Sequence, residues 1–268
     1  MKAPLTVAVA QCLCNPGDIS SNLARMEPMV KRAAGEGAGL VLFSEMGVTG
    51  YLVGVPAVTK NDSTWKSLEE MAGDHRIAIA AGFLEADAGD RYISHATFLP
   101  DGNVALQRKA RAARVETAIP GFRTGHESRS VVTIGGWRIA TVICAEFGIA
   151  GIRDSLRILG IDLVLAPTAG GGRREIGFSR DSLNDPATFD RYLAAAESVC
   201  FPRAAIADCR RHQTALATCN HLADNGIDYF HPGHSMVIDA DGRLAALIPG
   251  CFVFEHIQPT ALVAATLV

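Results

Sequence analysis

The chain has 268 residues, 49% hydrophobic and 20% charged, with a formal net charge of −3. That apolar content excludes a disordered chain, and the near-neutral, slightly acidic balance offers no footing for nucleic acid or an anionic membrane surface. No apolar run approaches the roughly 20 residues of a membrane span, and seven cysteines leave one over from any pairing, which argues for a reducing, cytoplasmic setting rather than a disulfide framework.

The opening LTVAVAQCLC is too short for a signal peptide and lacks a basic leader, and LTVAVAQ reads as a buried strand. From Asp18, Leu23, Met26, Val30 and Ala33 recur at helical spacing, with Asp18 or Ser20 as N-cap and Gly35 and Gly37 at the end. GLVLFSE predicts a second strand, Ser63 to Ala72 a shorter helix, and IAIAAGFLE a third strand. Hairpins follow: ISHATFLP and NVALQRK about Asp101-Gly102, then SVVTI and WRIATVIC about Gly135-Gly136. The helix IAGIRDSLRIL, ended by Gly160, leads to the strand IDLVLAP, and a helix near 186–199 leads to a strand RAAIADC. HSMVIDA and RLAALIP flank Asp241-Gly242, and FVFEHI reads as the final strand. The glycine-dense GGGRRE lacks phosphate-loop spacing and reads as a loop. The basic stretch QRKARAARVE reads as a solvated face. No linker divides the chain, so a single α+β layered domain over 1–268 is expected.

Three polar residues end strongly apolar strands: Glu45 in LVLFSE, Lys109 in NVALQRK and Cys144 in RIATVIC. A strand end holds a side chain rigidly yet leaves it reachable. Singly each has an ordinary explanation, respectively a helix cap, a solvated charge and a small buried hydrophobe. Together they are a base, a cation and a thiol, the set needed for attack on an amide or nitrile carbon. A helix directly after Cys144 would favour its thiolate.

In these segments the chain resembles the nitrilase (carbon–nitrogen hydrolase) superfamily. FSEMGVTGY stands for F-P-E-x-x-x-T-G-Y with Ser44 in place of proline, QRKARA for Y-R-K-x-H-L, and ICAEFGIAGIRDSLRILGIDLVLAP for I-C-[YW]-[DE] and its continuation. VAVAQ with GDISSNL, and GHSMVIDADG, are supporting matches. The resemblance implies an α–β–β–α sandwich without metal or organic cofactor, acting on a small-molecule substrate. It implies Glu45 as general base and then acid, Cys144 as nucleophile, Lys109 as stabiliser of the tetrahedral intermediate and the Ala145 N–H as a second oxyanion donor. Glu116 corresponds to a second glutamate and, with Ala145, Glu146 and Arg173, is expected at the substrate, with Arg174 beside it. A homodimer is implied, with IAGIRDSLRIL and the tail ALVAATLV at its two-fold contact. The sequence departs from the pattern at Arg111, where histidine is usual, at Ala145, where an aromatic is usual, and in YLAAAESV, which keeps Glu197 without the neighbouring arginine and asparagine.

Other readings stay open. Cys209, His212, Cys219 and His221 invite zinc, although C-x2-H followed by C-x-H matches no zinc module. His126 or His234 could pair with Cys144 in a Cys–His dyad. A scaffold subunit and a soluble acyltransferase are the alternatives to hydrolysis. Within hydrolysis, Ala145 after the cysteine favours an amide over a nitrile, and N-carbamoyl compounds stay open as an alternative substrate.

Overall fold

A computed structural model describes residues 2–173, 202–224, 229–250 and 260–268, with isolated residues between 185 and 197. LTVAVAQC forms β1 (Leu5–Cys12), buried almost end to end. Asp18 caps α1 (Ile19–Gly35) by accepting from the Ser21 N–H at 3.0 Å. The Met26, Met29, Val30 and Ala33 stripe of α1 is buried. β2 (Leu40–Leu42) follows, then α2 (Ser63–His75), capped by Asp62 through the Trp65 N–H. β3 (Ala78–Asp87), β4 (Asp90–Phe98) and β5 (Val104–Arg108) complete this half. The turn between β3 and β4 uses Ala88 and Gly89, both at positive φ.

The second half contains β6 (Val131–Ile134), β7 (Trp137–Thr141), α3 (Ala150–Ile158), β8 (Leu163–Thr168) and β9 (Gly172–Arg173). Then come α4 (Pro202–His212), β10 (Ala215–Asn220), β11 (Leu222–Asp224), β12 (Tyr229–Ile238), β13 (Leu244–Gly250) and β14 (Thr260–Leu267). Among the described residues one sheet runs β14-β1-β2-β3-β4-β5 and the other β11-β12-β10-β8-β7-β6, with β9 and β13 both on β12.

The alternation of side chains along the strands sets the layers. On β1, Ala8, Ala10 and Cys12 pack with α1 and α2, whereas Leu5, Val7 and Val9 meet the second sheet. On β8, Leu163 and Leu165 face the first sheet, and Val164 and Ala166 face α3 and α4. The result is the expected α–β–β–α sandwich.

One expectation is corrected. RAAIADC lies in α4, not in a strand. Pro202 opens that helix, Arg210, Arg211 and His212 sit in its last turn where cations suit the C-terminal dipole, and Ala205, Ile206 and Cys209 pack on the sheet. The strand in that place is ALATCN. The tail ALVAATLV falls in β14, which pairs antiparallel with all of β1 from Leu5↔Leu267 to Cys12↔Thr260. FVFEHI and much of the helix expected over 186–199 lie outside the described residues. No helix among the described residues is long and apolar enough to cross a membrane.

Candidate active site

Each of the three strand-end residues sits on a backbone pinned from more than one side. After β2 the Phe43 N–H still bonds the Ala80 carbonyl, and the chain then turns through Ser44 and Glu45 to Met46 at φ 52°. β3 presses on that turn at Gly82: a Cβ there would come within 2.6 Å of the Met46 nitrogen and 2.9 Å of the Ser44 oxygen. Ser44 Oγ also meets His221 Nδ1 at 3.1 Å. Beyond β5, the Lys109 N–H donates to Ile93 O and the Lys109 carbonyl accepts from the Gly125 N–H at 2.7 Å. Beyond β7, the Val142 N–H bonds Leu165 O, and Cys144 takes φ 46°, a strained value for a residue with a Cβ.

The side chains converge. Lys109 Nζ lies 2.6 Å from Glu45 Oε1 and 2.5 Å from Glu116 Oε1, and all three groups are buried. Glu116 also accepts from Tyr51 Oη at 2.7 Å and from the Ala113 N–H at 2.7 Å. Burial pushes Glu45 up to about 7. The Lys109 charge works against that rise and the Glu116 charge adds to it, while a hydrogen bond with Cys144 lowers it. Burial, then the Glu45 charge, pushes the Cys144 thiol up to about 12, with Lys109 and the Ala169 N–H pulling the other way. Burial works against the Lys109 charge, but the neighbouring carboxylates outweigh it and hold the ammonium above the usual lysine value.

Burial thus favours the protonated form of both groups, the Cys144 thiol and the Glu45 carboxyl. This corrects the expectation of a thiolate favoured by a helix terminus. The residues from Cys144 onward form a 3-10 turn (Cys144–Gly148) before α3 begins, and burial dominates.

The residues expected at the substrate divide. Glu116 belongs to the charged cluster, held by Lys109, Tyr51 and the Ala113 amide; the 3-10 turn Arg114–Ala118 delivers it there. Ala145 is half-buried beside Cys144. Glu146 is fully buried, and its carboxylate is taken up by Arg129 and the amides of Ala110 and Ile143. Arg173 lies in β9, paired with Tyr229 of β12. Arg174 is outside the described residues.

The alternative constellations come apart. Cys209 faces the α3–α4 layer and Cys219 the inter-sheet layer, while His221 bonds Ser44, so these groups do not converge. His126 bonds its neighbour Ser128, and His234 is buried, its pKa lowered to about 4. Sequence reasoning missed Tyr51, Arg129 and the His221–His231 pair, whose rings lie 5.1 Å apart with Tyr51 against His231 at 5.3 Å. For Tyr51 a signal existed, since it closes the segment that begins at Glu45.

The sequence profile of carbon–nitrogen hydrolases matches residues 6–250. An aliphatic nitrilase from Sinorhizobium fredii is 25% identical over 261 residues, spanning 89% of this chain and 80% of the relative. A double mutant of the amidase from Nesterenkonia sp. AN1, solved in complex with acrylamide, superposes with a TM-score of 0.76 at 20% identity, covering 99% of this chain and 91% of the amidase. Another mutant of that amidase carries the acetamide moiety of fluoroacetamide on its active-site cysteine; its TM-score is 0.75 at 22% identity, with 98% and 90% covered.

Proposed function

This chain belongs to the carbon–nitrogen hydrolase family, and on that footing we propose that it hydrolyses the C–N bond of a small amide through a covalent acyl-enzyme. The observation that carries the reading is the Lys109 ammonium, held between the Glu45 and Glu116 carboxylates beside the Cys144 thiol.

In this mechanism Glu45 takes the Sγ proton as Cys144 attacks the carbonyl carbon. A thiol near pKa 12 needs that base in place, and a carboxylate near pKa 7 takes the proton and gives it back at neutral pH. Negative charge gathers on the carbonyl oxygen, where the Lys109 ammonium and the Ala145 N–H meet it. Glu45 returns the proton to the nitrogen, the C–N bond breaks, and ammonia or an amine leaves a thioester on Cys144. Water, losing its proton to Glu45, attacks the thioester. The acid departs and the proton returns to the sulfur. No metal or organic cofactor enters, so turnover is expected to survive chelators.

The test is the unaltered chain mixed with an amide, quenched with acid within one turnover and examined by mass spectrometry, beside a Glu45→Gln chain. An acyl mass on the peptide containing Cys144 is expected in the unaltered chain and not in Glu45→Gln, which lacks the base that acylation needs. An acyl mass on another residue would end this reading. The likeness to an aliphatic nitrilase supports a second substrate class, nitriles. Equal concentrations of a nitrile and its amide separate the two, and faster turnover of the nitrile would overturn the amide preference. We also propose a homodimer in the cytoplasm, contacting through α3. A monomer by light scattering at micromolar concentration would refute that assembly.

A further inference from the structure

We infer that Glu146 is a positioning residue, a bracket that sets the nucleophile at a fixed place relative to the cation. The inference rests on the roles proposed above for Cys144 and Lys109, and the Glu146 carboxylate bonds the backbone next to each of them together with Arg129.

The geometry is reciprocal. Glu146 Oε1 accepts from the Ala110 N–H at 2.6 Å and from Arg129 Nη2 at 3.2 Å. Oε2 accepts from the Ile143 N–H at 2.6 Å and from Arg129 Nη1 at 2.8 Å. Ala110 is the residue after Lys109, and Ile143 is the residue before Cys144. One planar group therefore ties the backbone beside the cation to the backbone beside the thiol, each through a short charge-assisted bond.

Arg129 is itself fixed. Its guanidinium donates to the carbonyls of Glu127, His126 and Thr141, and neither its side chain nor that of Glu146 is exposed. Arg129 pairs with the Glu146 carboxylate, as a buried charge needs a partner, since an isolated one is prohibitively costly. Ionisation matters because two backbone N–H donors point at two separate oxygens. A neutral amide has one acceptor oxygen, and its NH2 would confront the other donor.

The nucleophile gives a reason for such a bracket. Cys144 holds φ 46°, and a strained backbone persists only where its surroundings over-determine it. The Ile143–Glu146 bond closes the 3-10 turn over Cys144, and the Ala110 bond fixes that turn to the end of β5. Misplacing a reacting group by about 1 Å can cost about 100-fold in rate.

Two substitutions test the inference, each read by kcat, KM and the rate at which iodoacetamide labels Cys144. Glu146→Asp keeps the charge opposite Arg129 but lacks one methylene, so it cannot reach both amides. Glu146→Gln keeps the reach but offers one acceptor. We expect kcat to fall about 10- to 100-fold in both, KM to stay within about 3-fold, and Cys144 labelling to slow, in chains that circular dichroism finds folded at the assay temperature. Folded variants with wild-type kcat and labelling rate would overturn the bracket. Failure of both to fold would overturn it too, by making Glu146 a requirement of the fold and nothing more specific. A wild-type chain that released no ammonia from amides or nitriles would instead sink the hydrolase reading, and the labelling rates would still report on the bracket.

Discussion

Replacing Glu116 by Gln removes one of the two carboxylates that share the Lys109 ammonium. Both carboxylates lie within hydrogen-bonding distance of one nitrogen, so their nearest oxygens are at most about 5 Å apart. At an effective dielectric constant of about 20, unit charges at that separation repel by roughly 3 kcal/mol, or about 2 pKa units. The Glu116 charge raises the Glu45 pKa, and Lys109 would remain to lower it. Glu45 should therefore titrate well below its present value of about 7. The base acts in its deprotonated form, so kcat/KM rises with pH through the pKa of the free enzyme's Glu45. Glu116→Gln should move that acid limb down by about 1 to 2 pH units. A weaker base, and an ammonium bound more tightly to Glu45 alone, should also lower the plateau. The assay is ammonia release against pH at substrate concentrations below KM. An acid limb that stays put, or moves upward, would refute the shared-cation account of the base.

Among the cysteines at described positions, Cys144 is half-buried and Cys12, Cys14, Cys209 and Cys219 are buried. Iodoacetamide is expected to label Cys144 first, and peptide mapping that put the fast label elsewhere would count against it as nucleophile. Lys109→Met should cost about 10² to 10³ in kcat with little change in KM, through loss of oxyanion stabilisation, and steady-state kinetics would show otherwise if KM carried the loss. Gly82→Ala drives a methyl against the Met46 nitrogen and Ser44 oxygen. It should destabilise the fold by about 1–3 kcal/mol and lower kcat through the Glu45 turn, whereas unchanged melting temperature and kcat would show that the turn yields freely.

Much of the fold was legible because its signals are local. LTVAVAQ, the Asp18-capped stripe of α1 and the Asp101-Gly102 and Gly135-Gly136 turns all declare themselves within a few residues. The β3–β4 turn did not, since Ala88 at φ 49° is a residue that rarely takes such a conformation. RAAIADC reads equally as a short apolar strand or a helix face, and only its packing on the second sheet decides. The cluster of Glu45, Lys109 and Cys144 was legible for a physical reason, because a carboxylate, an ammonium or a thiol stands out at the end of an apolar strand. Its supports were not. Arg129 reaches Glu146 across 17 residues and His221 reaches Ser44 across 177, and no sequence window contains such pairs.

Those distant supports explain how two sheets can hold one cluster of side chains. Glu45 and Lys109 leave strands of the first sheet, whereas Cys144 leaves a strand of the second. The separation between Glu45 and Cys144 is thus a property of how the sheets meet. Between them the layer contains the small residues Ala78, Ala80, Ala215 and Ala217, which allow a close approach. Polar bonds then fix the register that apolar packing leaves free to slide. The Cys219 thiol donates to Ala10 O at 3.3 Å, Ser235 Oγ donates to Gln11 Oε1 at 2.9 Å, and Ser44 meets His221 at 3.1 Å. All three are buried, where an unmade hydrogen bond costs more than a made one contributes, so a small slip of one sheet over the other is penalised several times over. The apolar layer brings the Cys144 thiol and the Glu45 carboxyl group together, and the buried polar links decide where along the sheets they meet.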